Sequence, residues 1–149
     1  MNVRTHAVAR AAYECVAARR DETKGIQGAD NKRYGALAHK LTGMILANGL
    51  AQATGFLLAK GNREHLELLD DLCAVLRATE TTTAGDGAGL HQEIIDSDLE
   101  RTLMLTRRSL QAGGWLKRYV QGVLRVDATG ERAADDEPSV GDRKRWPRS

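Results

Sequence analysis

Aromatic residues are scarce in this sequence, which contains one Phe, two Trp and three Tyr among 149 residues. The hydrophobic core must therefore consist mainly of Leu, Ala, Val and Ile. Alanine and leucine are also among the strongest helix formers. No β-branched run alternates with polar residues as a half-buried strand requires. The composition therefore predicts an all-α fold.

Cysteine is equally rare, and Cys15 and Cys73 stand far apart with no CxxC pair. Isolated cysteines indicate neither a disulfide framework nor a cysteine zinc site. Their apolar neighbours predict that both are small core residues rather than nucleophiles. The N-terminus also lacks the long apolar segment and cleavage site of a secretory signal, so we expect a cytoplasmic protein.

The motifs of common catalytic classes are missing too. The sequence contains no HExxH, GxSxG or GxxxxGK[ST], and none of its histidines has a Glu three residues before it. The glycine-rich residues 85–89 follow no predicted strand, which disfavours a phosphate loop. The carboxylates near His65 have scattered helical phases, which disfavours a metal site. We expect no enzymatic activity, cofactor, metal ion or small-molecule substrate.

Charge is absent from residues 41–59, although 28% of the whole chain is charged. About 20 apolar residues can cross a bilayer, but three glycines and four polar residues interrupt this run and would lack partners there. Gly49 stands where a helix would end, because glycine adopts the left-handed C-terminal conformation without strain. The stretch therefore predicts two apolar helices that meet at Asn48 and Gly49 and are buried in the core.

Hydrophobic periodicity predicts helices on both sides of this pair. Residues 3–20 form the first, with four arginines (Arg4, Arg10, Arg19 and Arg20) facing water. Asp30 or Asn31 can cap the second.

After the apolar pair, Asn62 is placed to cap a helix that turns Leu66 inward and Asp71 outward, and residues 79–89 are predicted to be a flexible linker. Ser97 and Glu100 form a capping box that opens the longest helix, which we expect to end near residue 126. The sequence thus predicts a single bundle of five to six helices over residues 1–126. A disordered, charged tail follows over residues 127–149.

Charge is distributed unevenly along the chain. Residues 62–100 contain two basic and ten acidic side chains, a net charge of −8, whereas residues 101–126 contain six basic and no acidic ones, a net charge of +6. Separate acidic and basic surfaces favour a polyanion on one side and a basic protein, or another copy of this chain, on the other.

The basic residues of the last helix form a stripe. At 100° per residue, Arg107, Arg118 and Arg125 fall within about 20° of one another. Gln111, Gly114 and Gln121 occupy the same sector. Apolar residues fill most of the remaining circumference and are predicted to be buried, including Leu99, Leu103, Trp115 and Tyr119. Guanidinium groups bind phosphate bidentately, so the stripe favours contact with a nucleic-acid backbone.

A helix-turn-helix is an alternative for the apolar pair, with Lys40 and Lys60 at the DNA backbone. The second helix of the pair carries few side chains able to read base edges, which disfavours this alternative.

Two segments resemble a known family. In residues 34–61 an amphipathic helix ends in an apolar-x-x-Asn-Gly-Leu sequence, followed by Gln and an apolar run that closes on Lys. The matching positions are Ile45, Asn48, Gly49, Leu50, Gln52, Phe56, Leu57 and Lys60. The second segment is the Trp-Leu-Lys-Arg-aromatic run of residues 115–119. Together they resemble the small helical subunit of type III-B CRISPR effector complexes, the fifth subunit of the Cmr complex. Residues 79–89 and the tail after 127 depart from that pattern.

The resemblance implies a bundle of about six helices without enzymatic activity that stacks in several copies beside the backbone subunits of the complex. Its implied partners are other Cmr subunits, further copies of itself, guide RNA and target RNA. The implied role is in antiviral defence, and no membrane is involved. By matching position, Lys117 and Arg118 are expected to contact RNA. Arg107 and Arg125 are candidates from the helical wheel, and Lys32, Arg33 and Lys40 are further candidates on the second helix. A scaffold whose basic stripe docks onto an acidic protein is the alternative.

Overall fold

A computed structural model describes residues 3–22 and 29–126, and these form an α-helical bundle. The helices are α1 (Val3–Glu22), α2 (Ala29–Asn48), α3 (Leu50–Lys60), α4 (Arg63–Ala78), α5 (Gly87–Asp96) and α6 (Leu99–Tyr119), and a π-helical turn (Val120–Leu124) continues α6. No β-strand occurs in the described ranges. The predicted all-α bundle with a long final helix is confirmed. The predicted tail, residues 127–149, lies outside the described part of the chain.

The apolar pair is hinged where the sequence predicted. Gly49 has a φ of 91°, and its amide donates to the carbonyl of Ile45 at 2.8 Å. Leu50, Ala53, Thr54 and Leu57 form the buried face of α3. Complete burial of residues 41–59 was wrong, however, because Leu46 is 73% exposed and Phe56 is 42% exposed. Within the described residues no helix is long and apolar enough to cross a membrane.

Helix α4 lies at the centre of the bundle and packs against α1, α2, α3, α5 and α6. Its buried side chains include Leu68, Leu72, Val75 and Leu76. Cys73 is fully buried and Cys15 packs against the same core, as predicted. Leu66, in contrast, was wrongly predicted to point inward and is exposed.

A buried ion pair joins three of the helices. Arg19 of α1 donates to both carboxylate oxygens of Asp71 on α4, at 3.0 Å and 2.7 Å. The hydroxyl of Tyr34 on α2 donates to the same carboxylate at 2.5 Å, and Glu67 lies 3.3 Å from Arg19. The predictions that Arg19 and Asp71 face water were therefore wrong. A carboxylate can be buried here because both of its oxygens are hydrogen-bonded.

The segment between α4 and α5 is ordered rather than a flexible linker. Arg77 donates to the carbonyls of Ala84 at 2.9 Å and Gly85 at 3.1 Å. Thr82 is buried and donates to Glu93, which also pairs with Arg101 at 2.5 Å. The sequence prediction failed because these partners lie outside the segment, where a local pattern cannot reveal them.

Helix ends differ from prediction by a few residues. Asp98, not Ser97, caps α6 and accepts from the amide of Arg101 at 2.8 Å. The Ser97 hydroxyl donates instead to the carbonyl of Glu93. Asp30 and Asn31 lie inside α2, which begins at Ala29, so neither occupies the predicted cap position. Asn62 does occupy the cap position of α4, but its side chain makes no capping hydrogen bond.

Candidate nucleic-acid interface

The exposed face of α6 carries the predicted basic stripe. Arg107 and Arg118 are exposed, and they keep their common phase because α6 is regular to Tyr119. Arg125 is also exposed, but it follows the π-helical turn and has a φ of 60°. The helical-wheel position predicted for Arg125 assumes a regular α-helix and is therefore not valid here. We call Arg107, Gln111, Gly114 and Arg118 the basic strip.

Helix α6 is held between α1 and α2, and this position decides which of its residues face outward. A Cβ atom at Gly113 would lie 3.0 Å from Cγ2 of Thr42, so the glycine permits close approach to α2. On the other side, the ring of Tyr119 meets the ring of Tyr13 on α1, with centroids 5.5 Å apart. The basic strip is therefore the part of α6 left uncovered between its two neighbours.

Aromatic rings border the basic strip on the α1 side. Trp115 and Tyr119 stack with centroids 5.7 Å apart at an interplanar angle of 25°. The Arg118 guanidinium lies 5.3 Å from the Trp115 ring centroid, within the range of a cation–π contact. Both rings pack against the core but remain half-buried. The prediction that they lie near the core is thus only partly right.

Two basic residues that sequence reasoning missed lie at the same edge. Arg108 is half-buried on α6, and Arg4 of α1 is exposed nearby. Burial, followed by the like charges of Arg4 and Arg107, lowers the pKa of Arg108. Phase alone could have placed Arg108 beside the stripe, about 100° from Arg107. No local pattern could have placed Arg4 there. We call Tyr13, Arg108, Trp115, Arg118 and Tyr119 the α1–α6 seam.

Carboxylates limit the strip at the beginning of α6. Asp98, Glu100 and Arg107 line the same cavity of about 440 Å³, together with Arg101 and Met104. Arg107 therefore lies in a mixed electrostatic environment, whereas residues 101–126 contain no acidic residue that could surround Arg118 from its own helix. Of the two arginines of the strip, Arg107 is therefore the one that shares its surroundings with carboxylates.

Three comparisons with known proteins agree with one another. The family described as CRISPR-associated protein (Cas_Cmr5) matches residues 4–123. A Thermus thermophilus protein named CRISPR system Cmr subunit Cmr5 is 31% identical over 124 residues, which cover 83% of this chain and 98% of that protein.

The bundle also resembles the crystal structure of a CRISPR-associated Cmr5 family protein from Thermus thermophilus. The TM-score is 0.70 at 30% identity, covering 83% of this chain and 99% of that one. This chain belongs to the Cmr5 family. The Cmr5 match spans α1 through most of the π-helical turn, so it includes both sides of the α1–α6 seam and ends before Arg125.

The remaining predicted RNA contacts of this Cmr5 family member lie away from the strip. Lys117 is half-buried and about 100° from Arg118, toward α2. Arg33 and Lys40 are exposed on α2, but they lie about 100° or more from Gly35, His39 and Thr42, the α2 residues that face α6 or the π-helical turn. Lys32 is half-buried. The structure therefore does not bring the α2 cations together with Arg107 and Arg118.

No reactive group stands out in the described ranges. Burial, and then the charge of Asp71, raises the pKa of the Cys15 thiol to about 12, so the nucleophilic thiolate is suppressed. Burial also raises the pKa of Cys73. A carboxylate oxygen of Glu64 lies 3.4 Å from Nδ1 of His65, but no group of three or more potential metal ligands occurs in the part of the chain that the structure describes.

Proposed function

We propose that this chain is a non-catalytic small subunit of a type III-B Cmr effector complex that helps hold the guide RNA–target RNA duplex. In this role it stacks beside the backbone subunits, in contact with further copies of itself. The observation that carries the proposal is an exposed arginine strip on α6 of a Cmr5 family member, within residues 101–126, which contain no acidic residue. Its cations act by neutralising phosphates rather than by reading bases.

The charge and the length of the strip fit a phosphate backbone. Arg118 is exposed with its guanidinium over Trp115, and the described residues show no carboxylate paired with it. Arg107 and Arg118 are separated by about 16 Å along the axis at 1.5 Å per residue. That length fits contacts to a phosphate backbone a few nucleotides apart.

The helix-turn-helix alternative gains no support. The buried face of α3 leaves Gln52, Phe56, Ala59 and Lys60 exposed, and only Gln52 and Lys60 could contact a base edge.

The test is target RNA binding by the assembled complex with Arg118→Glu, alone and with Arg107→Glu. Loss of each phosphate contact should lower affinity and reduce the slope of log K against log salt by about 0.7 to 1. Lys60→Glu is the charge-matched control, because Lys60 is exposed at the end of α3.

Unchanged affinity and salt slope in the double variant would refute the RNA role and leave the scaffold alternative. Crosslinking the complex to RNA provides a second, independent readout, because a scaffold would yield no adduct on α6.

A further inference from the structure

Positive charge from two helices converges on the α1–α6 seam. Arg4 on α1 acts on Arg108 of α6 as a like charge, and so does Arg107. No carboxylate is among the charges that shift Arg108. Arg4 is anchored by a hydrogen bond of 3.2 Å from its Nη1 to the carbonyl of Thr79. Arg108 therefore has other cations near it and no carboxylate acting on it, an electrostatic arrangement that attracts an anion.

The acidic side chains near this part of α1 lie toward α4. Glu14 lines a cavity with Cys15 and Asp71, on the side of α1 that faces α4. Glu80 lines a second cavity with Arg4, beside the end of α4. The Tyr13 side of α1 therefore meets α6 without an acidic group between them, and Arg10, one turn before Tyr13, is exposed.

A continuous aromatic array lies beside these cations. Tyr13 packs edge-on against Tyr119 at 77°, Tyr119 stacks on Trp115, and Trp115 carries Arg118. Tyr13 is the exposed end of the array, with 42% of its surface open to solvent. Only six aromatic residues occur in the whole chain, and three of them are in this array. The hydrophobic core alone does not require an aromatic ring to lie at an exposed edge.

Cations and rings are spaced for a polymer strand. Arg108 and Trp115 are seven residues apart on α6, about 10 Å along the axis, and Arg118 is about 5 Å further. A strand lying along the seam can therefore place phosphates a few nucleotides apart near Arg108 and Arg118 while a base reaches the rings.

We propose that the α1–α6 seam binds single-stranded RNA, with phosphates held by Arg108 and Arg118 and an unpaired base stacked on Tyr13. A duplex keeps its bases stacked inside, so an exposed tyrosine ring can be covered only by a base that is already unpaired. The inference rests on the proposed function, but it assigns an additional ligand, an unpaired nucleotide, and additional residues on α1.

The test uses the full-length chain and a fluorescein-labelled 12-nucleotide oligouridine. Fluorescence anisotropy measures its affinity, with a 12-base-pair RNA duplex and an abasic strand of equal charge as comparison ligands. Tyr13→Ala should lower affinity for oligouridine about tenfold, the scale of one lost base–aromatic stack. It should leave duplex and abasic-strand binding unchanged, because it removes no charge.

Matched variants separate stacking from folding. Tyr13→Phe keeps a ring and should retain binding. Phe56→Ala removes a ring of the same exposed fraction, 42%, from α3 and should have no effect on binding. Arg108→Glu should weaken the binding of all three RNA ligands. Circular dichroism checks that each variant is folded.

Trp115 supplies a direct signal of occupancy. The chain has two tryptophans, so a Trp146→Phe background leaves Trp115 as the sole source of indole fluorescence. Oligouridine and the abasic strand should both change that fluorescence on binding, because each brings a phosphate to Arg118, whose guanidinium lies over the Trp115 ring.

Lack of saturable binding of oligouridine at low salt would overturn the inference, as would equal affinity for the abasic strand or equal effects of Tyr13→Ala and Phe56→Ala. If these tests fail while Arg107→Glu/Arg118→Glu still weakens the assembled complex, only the seam assignment falls. If the reverse holds, the seam stands and the duplex role falls.

Discussion

The acidic segment, residues 62–100, and the basic segment, residues 101–126, have opposite net charges, and their charged side chains differ in how many have partners within the bundle. Many of the acidic groups have partners within the bundle. Asp71 accepts hydrogen bonds from Arg19, Glu67 forms an ion pair with Arg19, Glu93 pairs with Arg101, and Asp86 and Asp98 cap helices. Asp70 accepts from the amide of Gly87. The basic strip, in contrast, remains on the surface.

This difference shows that net charge along a sequence does not predict charge at a surface. Many of the carboxylates that give residues 62–100 a net charge of −8 stabilise helix ends and helix contacts. The acidic surface available to a basic partner is therefore smaller than the net charge of the segment implies. Among the six basic residues that give residues 101–126 a net charge of +6, Arg101 forms an ion pair with Glu93, whereas Arg107 and Arg118 face outward. If the acidic groups stabilise the fold and the cations of the basic strip bind RNA, removing acidic groups should lower stability and removing strip cations should lower RNA affinity.

The strongest test is Asp71→Asn, which removes a charge that is 5% exposed. Arg19 would then be left without its bidentate partner, and breaking a buried pair costs about 3–5 kcal/mol. Urea unfolding followed by circular dichroism measures the loss in the free energy of unfolding. Glu100→Gln, at an exposed acid on α6, should change it by less than about 0.5 kcal/mol. Equal losses in the free energy of unfolding for the two variants would contradict a stabilising role for the buried acidic group.

The next test concerns how α6 is held, since the basic strip depends on its position. Gly113→Ala would place a Cβ atom 3.0 Å from Thr42 and should destabilise the fold by about 1–3 kcal/mol through overpacking. Gly114→Ala meets no atom within 4 Å and should stabilise the helix by up to about 1 kcal/mol. Thermal unfolding distinguishes these opposite signs, and destabilisation by both would refute the assigned register of α6 against α2.

A smaller effect distinguishes the structural cap of α6 from the cap that the sequence favours. Asp98→Ala should cost about 1 kcal/mol, because the Asp98 carboxylate accepts from the amide of Arg101. Ser97→Ala should cost less, because its hydroxyl donates to a carbonyl at the end of α5 rather than capping α6. The free energy of unfolding of each variant measures the difference, and a larger loss for Ser97→Ala would favour the capping box that starts at Ser97.

Local patterns predicted the elements of the fold well, and contacts between distant segments account for what they missed. The hinge at Gly49 and the buried face of α3 depend on nearby residues, so the sequence predicts them correctly. The exposure of Arg107 and Arg118 follows from helical phase. The sequence could not place Tyr13 beside Tyr119, or Arg4 near Arg108, because these neighbours lie at the opposite end of the described chain. Leu99 and Leu103 were wrongly predicted to be buried and are 74% and 56% exposed.

The smallest expected effect is a dependence of stability on pH through Glu93. Burial alone raises the pKa of this carboxyl, but hydrogen bonds from Thr82 and Arg101, with the Arg101 charge, outweigh burial and lower it. Because the folded pKa lies below the unfolded value of about 4.3, the stabilisation is present above that pH and is lost as pH falls through the folded pKa. Melting temperatures from pH 7 to pH 3 should therefore fall less steeply for Glu93→Gln than for the parent chain. Because Glu93 is only partly buried, solvent screening keeps this difference small. Parallel curves would show that Glu93 does not couple proton binding to the stability of the acidic segment.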